Sequence, residues 1–134
     1  MKDFEINIKL KLAALWTSVT FLYIYGDYFE LYTPGKVEDL ASGDHVMNSP
    51  TFLLIASAIL VIPSLMIFLS LALKPKLNKW LNIVFGSLFT LMMLLIAFSS
   101  LTAWYSFYVF YAIIESLLTA TIVWYAIKWP KEES

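Results

Sequence analysis

Four apolar stretches, roughly residues 12–32, 50–73, 80–99 and 104–127, follow one another along this 134-residue chain. Each is about as long as the ~20 residues an α-helix needs to cross the hydrocarbon of a bilayer. That feature restricts the fold more than any other. Lipid offers no hydrogen bonds, so each segment must satisfy its backbone N–H and C=O groups internally, and a helix does this. Composition agrees: 60% of residues are hydrophobic and 14% charged, too apolar for an ordinary soluble domain. The expected fold is an all-α integral membrane protein. More specifically, it is an up-down four-transmembrane-helix bundle forming a single membrane domain over 1–134, with an external loop at 33–49. The short joins LKPKLNKW and SSLTAW make spans two and three, and then three and four, antiparallel hairpins.

Lysine sets the expected orientation. Lys2, Lys9 and Lys11 precede the first span, Lys74, Lys76 and Lys79 lie between the second and third, and Lys128 and Lys131 follow the fourth. Lys36 is on the other side. Positive charge is retained on the cytoplasmic side of short loops, so both termini are expected in the cytoplasm. The external face, with Glu30, Glu38, Asp39 and Asp44 against Lys36, should favour cations over anions. The start, MKDFEINIKLK, has no small-residue cleavage pattern after the run that follows it, and is expected to be a retained signal anchor. Phe4, Ile6, Ile8, Leu10 and Leu12 alternate with polar residues, yet an open strand entering lipid would strand its backbone groups, so a helical lead-in is expected.

In the external loop, Val37, Leu40 and Ala41 fall at helical spacing and predict a short amphipathic helix acting as a partial lid. Ser49 and Pro50 read as N-cap and first helical residue of the second span. Pro63, mid-span, removes a backbone hydrogen bond and is expected to loosen or kink that helix, which can open a cavity. In span three, Asn82, Gly86 and Thr90 share a face and predict close helix packing.

Two carboxylates stand out against this apolar background. Glu115 lies about 16 Å below Trp104 at ~1.5 Å per residue, close to the bilayer midplane. A charge there costs roughly 3 kcal/mol on insertion scales, so Glu115 must face the interior or water, carry a proton, or find a partner. No lysine shares its depth. Tyr111, Glu115 and Thr119 fall on one face of span four, with Tyr108 a turn higher. Span one runs the opposite way and carries Thr20, Tyr23 and Asp27 on one face, within the stretch FLYIYGDYFELY. First and last helices of such a bundle are neighbours, so the two polar stripes can face each other with Asp27 above and Glu115 below. Tyr28, Tyr32, Tyr105, Trp104, Trp124 and Trp129 read as an interfacial aromatic belt. Tyr23 and Tyr111 lie deeper than a belt.

Other chemistry lacks its parts. Without cysteine the chain has no disulfide, thiolate metal site or iron–sulfur cluster. His45 beside Asp44 supplies two of the three or four ligands a metal needs, and a single histidine excludes paired-histidine haem ligation. No catalytic Ser-His-Asp arrangement, phosphate loop or nucleic-acid patch is visible. No cofactor is expected.

The segments IYGDYFELY, LKPKLNKWLNIVFG and FYVFYAIIESLLTATIVWYAIKWPK give the chain a resemblance, over almost its whole length, to a group of short bacterial four-span membrane proteins grouped as a domain of unknown function. A looser similarity, in span count, is to the DoxX-like four-helix membrane proteins. The resemblance implies a multi-pass protein of the bacterial cytoplasmic membrane and transfers no activity. The residues themselves favour a small cationic or protonatable ligand, bound or transported in a pocket formed by Glu115, Asp27, Tyr23, Tyr111, Tyr108 and Thr119 between spans one and four. The expected assembly is a homo-oligomer in membrane lipid. The alternatives are a structural subunit whose polar stripe only packs helices, and an enzyme acting on a lipid-soluble substrate.

Overall fold

The computed structural model describes residues 6–43, 49–99 and 101–129. Helix α1 spans Ile8–Glu30, the short α2 Lys36–Ser42, α3 Pro50–Ala72 and α4 Pro75–Ser99. After a 3-10 turn at Ala103–Tyr105, α5 runs Ser106–Ile127, and no strand occurs among the described residues. Among the described residues three segments are long and apolar enough to cross a membrane, Pro50–Ala72, Pro75–Ser99 and Ala103–Ile127, with mean hydropathies of 2.7, 2.3 and 1.6 over their most apolar 18 residues. Helix α1 equals α3 in length, 23 residues. Lys9, Lys11, Asp27, Glu30 and several tyrosines make it more polar. Lys2, Phe4, the Asp44–His45 pair, Lys131 and the KEES tail lie outside the described residues.

Local chemistry explains where the helices begin and end. Asn7 caps α1 by accepting from the Lys9 N–H at 2.8 Å, so the alternating lead-in turns helical from Ile8. Thr33 Oγ1 donates to the Glu30 carbonyl at 2.8 Å, satisfying one acceptor left over at the end of α1. Ser49 accepts from the Phe52 N–H at 3.0 Å, and Pro50 follows as the first residue of α3. Gly43 ends α2 with φ of 82°, a left-handed conformation that side chains resist. Helix α3 runs through Pro63 without interruption.

The four long helices run alternately up and down. At one end Lys11 Nζ lies 5.3 Å from the Tyr125 ring, and at the other Phe29 packs edge-on against Tyr111, so α1 and α5 are antiparallel neighbours. Buried positions recur at spacings of three and four: Leu12, Trp16, Val19, Tyr23 and Gly26 on α1, and Ala112, Glu115, Thr119, Ile122 and Ala126 on α5. This is the seam spacing of left-handed helix packing. Helix α4 packs most extensively on α5, and α1 on both α3 and α5, whereas the consecutive α3 and α4 make only slight contact.

Gly86 permits the α4–α5 approach. A Cβ there would stand 2.7 Å from Val123 Cγ2 and 3.3 Å from the Thr119 carbonyl oxygen. Above it the hydroxyls of Thr90 and Thr119 bond each other at 2.6 Å. The close packing read from Asn82, Gly86 and Thr90 is therefore contact within one bundle.

A buried polar network closes the end nearest the α3–α4 turn. Trp16 Nε1 donates to Asn82 Oδ1 at 2.7 Å. Asn82 Nδ2 donates to the Asn78 carbonyl and to Asn78 Oδ1 at 2.9 and 2.7 Å. Asn78 Nδ2 in turn donates to the Ser70 carbonyl at 2.7 Å, capping the end of α3 from the neighbouring helix. Trp16, Ser70, Asn78 and Asn82 are all fully buried. Trp129 departs from the belt expected of it: it is 5% exposed and belongs to the core cluster with Leu12, Trp16 and Ile122. Trp104 and Trp124 stay exposed, as a belt requires.

Candidate functional site

Away from the polar network, the four long helices enclose a cavity of about 240 Å³. Helix α1 contributes Tyr23, Gly26 and Asp27, and α5 contributes Tyr108, Tyr111 and Glu115. Helix α3 adds Ala56, Ile59 and Leu60, and α4 adds Met92, Met93 and Ile96. The polar groups are thus confined to one side and aliphatic groups to the other. The volume exceeds the ~150 Å³ of an engineered apolar cavity that holds benzene.

Glu115 is held in the wall by packing alone. It is 5% exposed, and among the described residues its carboxyl group makes no hydrogen bond and no ion pair. Its neighbours on α5 behave differently. Ser116 Oγ donates to the Ala112 carbonyl at 2.8 Å, and Thr119 Oγ1 to the Glu115 carbonyl at 3.0 Å, so these hydroxyls are satisfied inside their own helix. Tyr23, 8% exposed, also lines this cavity; its hydroxyl is buried without a hydrogen-bond partner, and its ring packs on Phe89 at 5.8 Å. Glu115 and Tyr23 therefore line one hollow, and among the described residues neither the carboxyl group nor the hydroxyl makes a hydrogen bond. Leaving such groups unmade costs ~1–3 kcal/mol each, more for a charge, and most buried groups avoid it.

Asp27 is exposed and lies at the cavity's rim, also bordering a smaller hollow of about 80 Å³ between α1 and α3 that includes Thr20 and Ser64. It bonds to no tyrosine. Gly26, the residue before it, faces the Tyr108 and Tyr111 rings, and a Cβ there would meet them at ordinary contact distances of 4.0 and 3.5 Å. Beyond Tyr111 lies a separate aromatic groove of about 340 Å³ between Phe29, Tyr32, Thr33, Trp104, Phe107 and Tyr111, so the Tyr111 side chain borders both spaces.

Five of the six residues singled out in the sequence, Glu115, Asp27, Tyr23, Tyr111 and Tyr108, border one cavity. Thr119 does not; it is fully buried a turn lower, bonded to Thr90 in the α4–α5 contact. The sequence placed the pocket between spans one and four alone, and the cavity takes half its lining residues from α3 and α4. Those aliphatic side chains carry no signal in an apolar span; Pro63 is the nearest hint, since it has no N–H to offer the Ile59 carbonyl and Ile59 lines the cavity. The expected short helix forms as α2, tied by a 2.8 Å Lys36–Glu30 ion pair, but none of its residues lines the cavity. Outside the long helices, the Glu30 carboxylate beside Lys36 raises that ammonium above the usual lysine range. No group of three or more His, Asp or Glu among the described residues is placed to hold a metal ion.

All residues 1–134 match a single family, described as a family of unknown function, DUF6326. The chain belongs to that family. No curated protein and no solved structure matches it. The match agrees with the resemblance drawn from IYGDYFELY and the other two segments in one respect, a family of unknown function that covers the whole chain, and it carries no span count, source, DoxX-like relation or chemistry for the cavity.

Proposed function

We propose that this protein spans a bacterial cytoplasmic membrane four times, with α1 as the first span and both termini inside, and that it binds a small organic cation or protonatable amine in the cavity between its long helices. The observation that carries this reading is Glu115: a buried carboxyl group without hydrogen bond or ion pair, on the wall of a 240 Å³ cavity whose rim holds a second carboxylate, Asp27. A carboxyl group that served only to glue helices would bond across them. Asn82 and Thr119 do this, and Glu115 does not. Two acids and the rings of Tyr23, Tyr108 and Tyr111 suit a positive guest, which gains Coulomb attraction and contact with aromatic faces. An acid–base reaction is less well supported, since the two carboxyl groups occupy floor and rim rather than flanking a single bond. The Trp16–Asn82–Asn78–Ser70 network and the Phe89 and Met93 packing close the far end, so binding is favoured over open conduction.

Calorimetric titration of the protein in lipid nanodiscs with methylammonium and tetramethylammonium tests this. Wild type should bind at least one of the two. The isosteric Glu115→Gln variant should bind more than tenfold more weakly, with unchanged helicity and elution profile. Equal binding by both proteins would end the proposal.

A further inference from the structure

The cavity's walls are chemically divided, and the division follows the one loose joint in the bundle. Every polar lining group is on α1 or α5, whereas α3 and α4 supply only Ala56, Ile59, Leu60, Met92, Met93 and Ile96. Helix α3 holds α1, α4 holds α5, and α1 holds α5, but α3 and α4 scarcely meet. A hollow bounded by three tight helix contacts and one slack one opens at the slack one. Ile59 and Leu60 of α3 line the cavity yet remain 37% and 39% exposed, so the wall is open along α3; Leu60 also borders the hollow between α1 and α3, which leaves Ile59 as the residue for the α4 side. Ile59 and Glu115 also lie equally far from the starts of their helices, Pro50 and Ser106, which puts the opening at the depth of the buried acid. In a membrane, what lies outside this seam is lipid.

We infer that the cavity is entered sideways from the bilayer between α3 and α4, and that its guest is a lipophilic amine whose ammonium head lies between Glu115 and the Tyr23 hydroxyl while its hydrocarbon portion leaves through the seam past Ile59 and Ile96. This rests on the reading of the cavity as a cation site and adds the class of molecule and its route. The head group would meet the two unengaged polar atoms, Glu115 carboxyl and Tyr23 hydroxyl, and both side chains are more than nine-tenths buried. The chain would meet only aliphatic and thioether groups, and methionines at 92 and 93 adapt to varied shapes.

Chain length separates this route from a closed pocket entered from water. In a closed space of 240 Å³, affinity for primary alkylamines rises by about fourfold per methylene until the space is full and then falls. With an open seam the excess chain lies in lipid, and dodecylamine binds at least as tightly as butylamine. The experiment is competition among butylamine, octylamine and dodecylamine in nanodiscs, on wild type, Glu115→Gln and Ile59→Trp, with empty nanodiscs subtracted. Sideways entry is supported by wild-type dodecylamine binding at least as tight as butylamine binding, by loss of more than tenfold for both amines in Glu115→Gln, and by an Ile59→Trp loss that is several-fold larger for dodecylamine than for butylamine, since Ile59 lines the site for both. Butylamine binding without dodecylamine binding, lost in Glu115→Gln, overturns sideways entry and leaves the cation site standing. Binding of no amine overturns both, and so does amine binding that Glu115→Gln leaves unchanged.

Discussion

Replacing Tyr23 by Phe separates a functional polar atom from a structural one. The Tyr23 hydroxyl is buried and unpartnered, and its ring already packs on Phe89 at 5.8 Å, a contact that phenylalanine keeps. A buried hydroxyl without a partner costs ~1–3 kcal/mol, so deleting it should stabilise the ligand-free protein by about 1–2 kcal/mol. Most substitutions of a buried residue go the other way. If the same hydroxyl bonds an ammonium guest, its removal forfeits one hydrogen bond of ~0.5–1.5 kcal/mol, a two- to tenfold weaker affinity. Stability is read from denaturant unfolding in mixed micelles, and affinity from the amine titration on the same preparation. The variant should be more stable and bind less well. A loss of 1 kcal/mol or more in the ligand-free protein would refute the reasoning, because it would mean that the hydroxyl already has a partner.

Other substitutions probe the scaffold around the cavity. Asn82→Ala removes three side-chain hydrogen bonds of 2.7–2.9 Å, and at about 0.6 kcal/mol each in a membrane should cost about 2 kcal/mol. A double-mutant cycle with Trp16→Phe should then return a coupling of about 0.5–1.5 kcal/mol, and strict additivity would show that this bond contributes nothing. Gly86→Ala gains about 0.5–1 kcal/mol of helix propensity but presses a methyl group against Val123 and the Thr119 carbonyl, for about 1–3 kcal/mol of overpacking. Unfolding should show net destabilisation, and Gly86→Leu should be worse. The Lys36–Glu30 pair is partly exposed and contributes less than about 1 kcal/mol. Because the folded-state value of Lys36 is raised, that contribution is complete below the ordinary lysine range and disappears as pH rises through the raised value. Glu30→Gln should therefore speed amide exchange in α2 at neutral pH, with the difference from wild type vanishing in strong alkali.

Much of the site was legible from single residues. In a span that is apolar on every side, a polar residue identifies the face turned from lipid, because lipid supplies no hydrogen-bond partner. Glu115, Ser116, Thr119, Asn78, Asn82 and Ser70 are buried in keeping with that, whereas Ser57, Ser64 and Ser87 are exposed. A serine hydroxyl can bond within its own helix, as Ser57 does to the Leu53 carbonyl, and so marks a face less strictly than an acid or an amide. Spacing then set Tyr111 and Glu115 on one side of α5, and reversed chain direction set them opposite Tyr23 and Asp27. Trp129 misled because an aromatic residue near a helix end serves equally well at an interface or in a core, and only its neighbours decide which.

The sequence by itself determined an all-helical chain with long apolar helices, the caps at Asn7, Ser49 and Gly43, and the inward faces marked by acids, amides and hydroxyls. These follow from local backbone chemistry and from the insolubility of polar groups in hydrocarbon. Tertiary structure decided which polar side chains bond one another and which do not, so that the Thr119 hydroxyl joins Thr90 while the Glu115 carboxyl group makes no hydrogen bond among the described residues. It also decided that α3 and α4 make only slight contact and that Ile59, Leu60, Met92 and Ile96, rather than Leu91 and Leu95, line the cavity. Lipid and protein interior are equally apolar, so hydropathy does not distinguish the two sides of such a helix, and only the fit of side chains against neighbouring helices does.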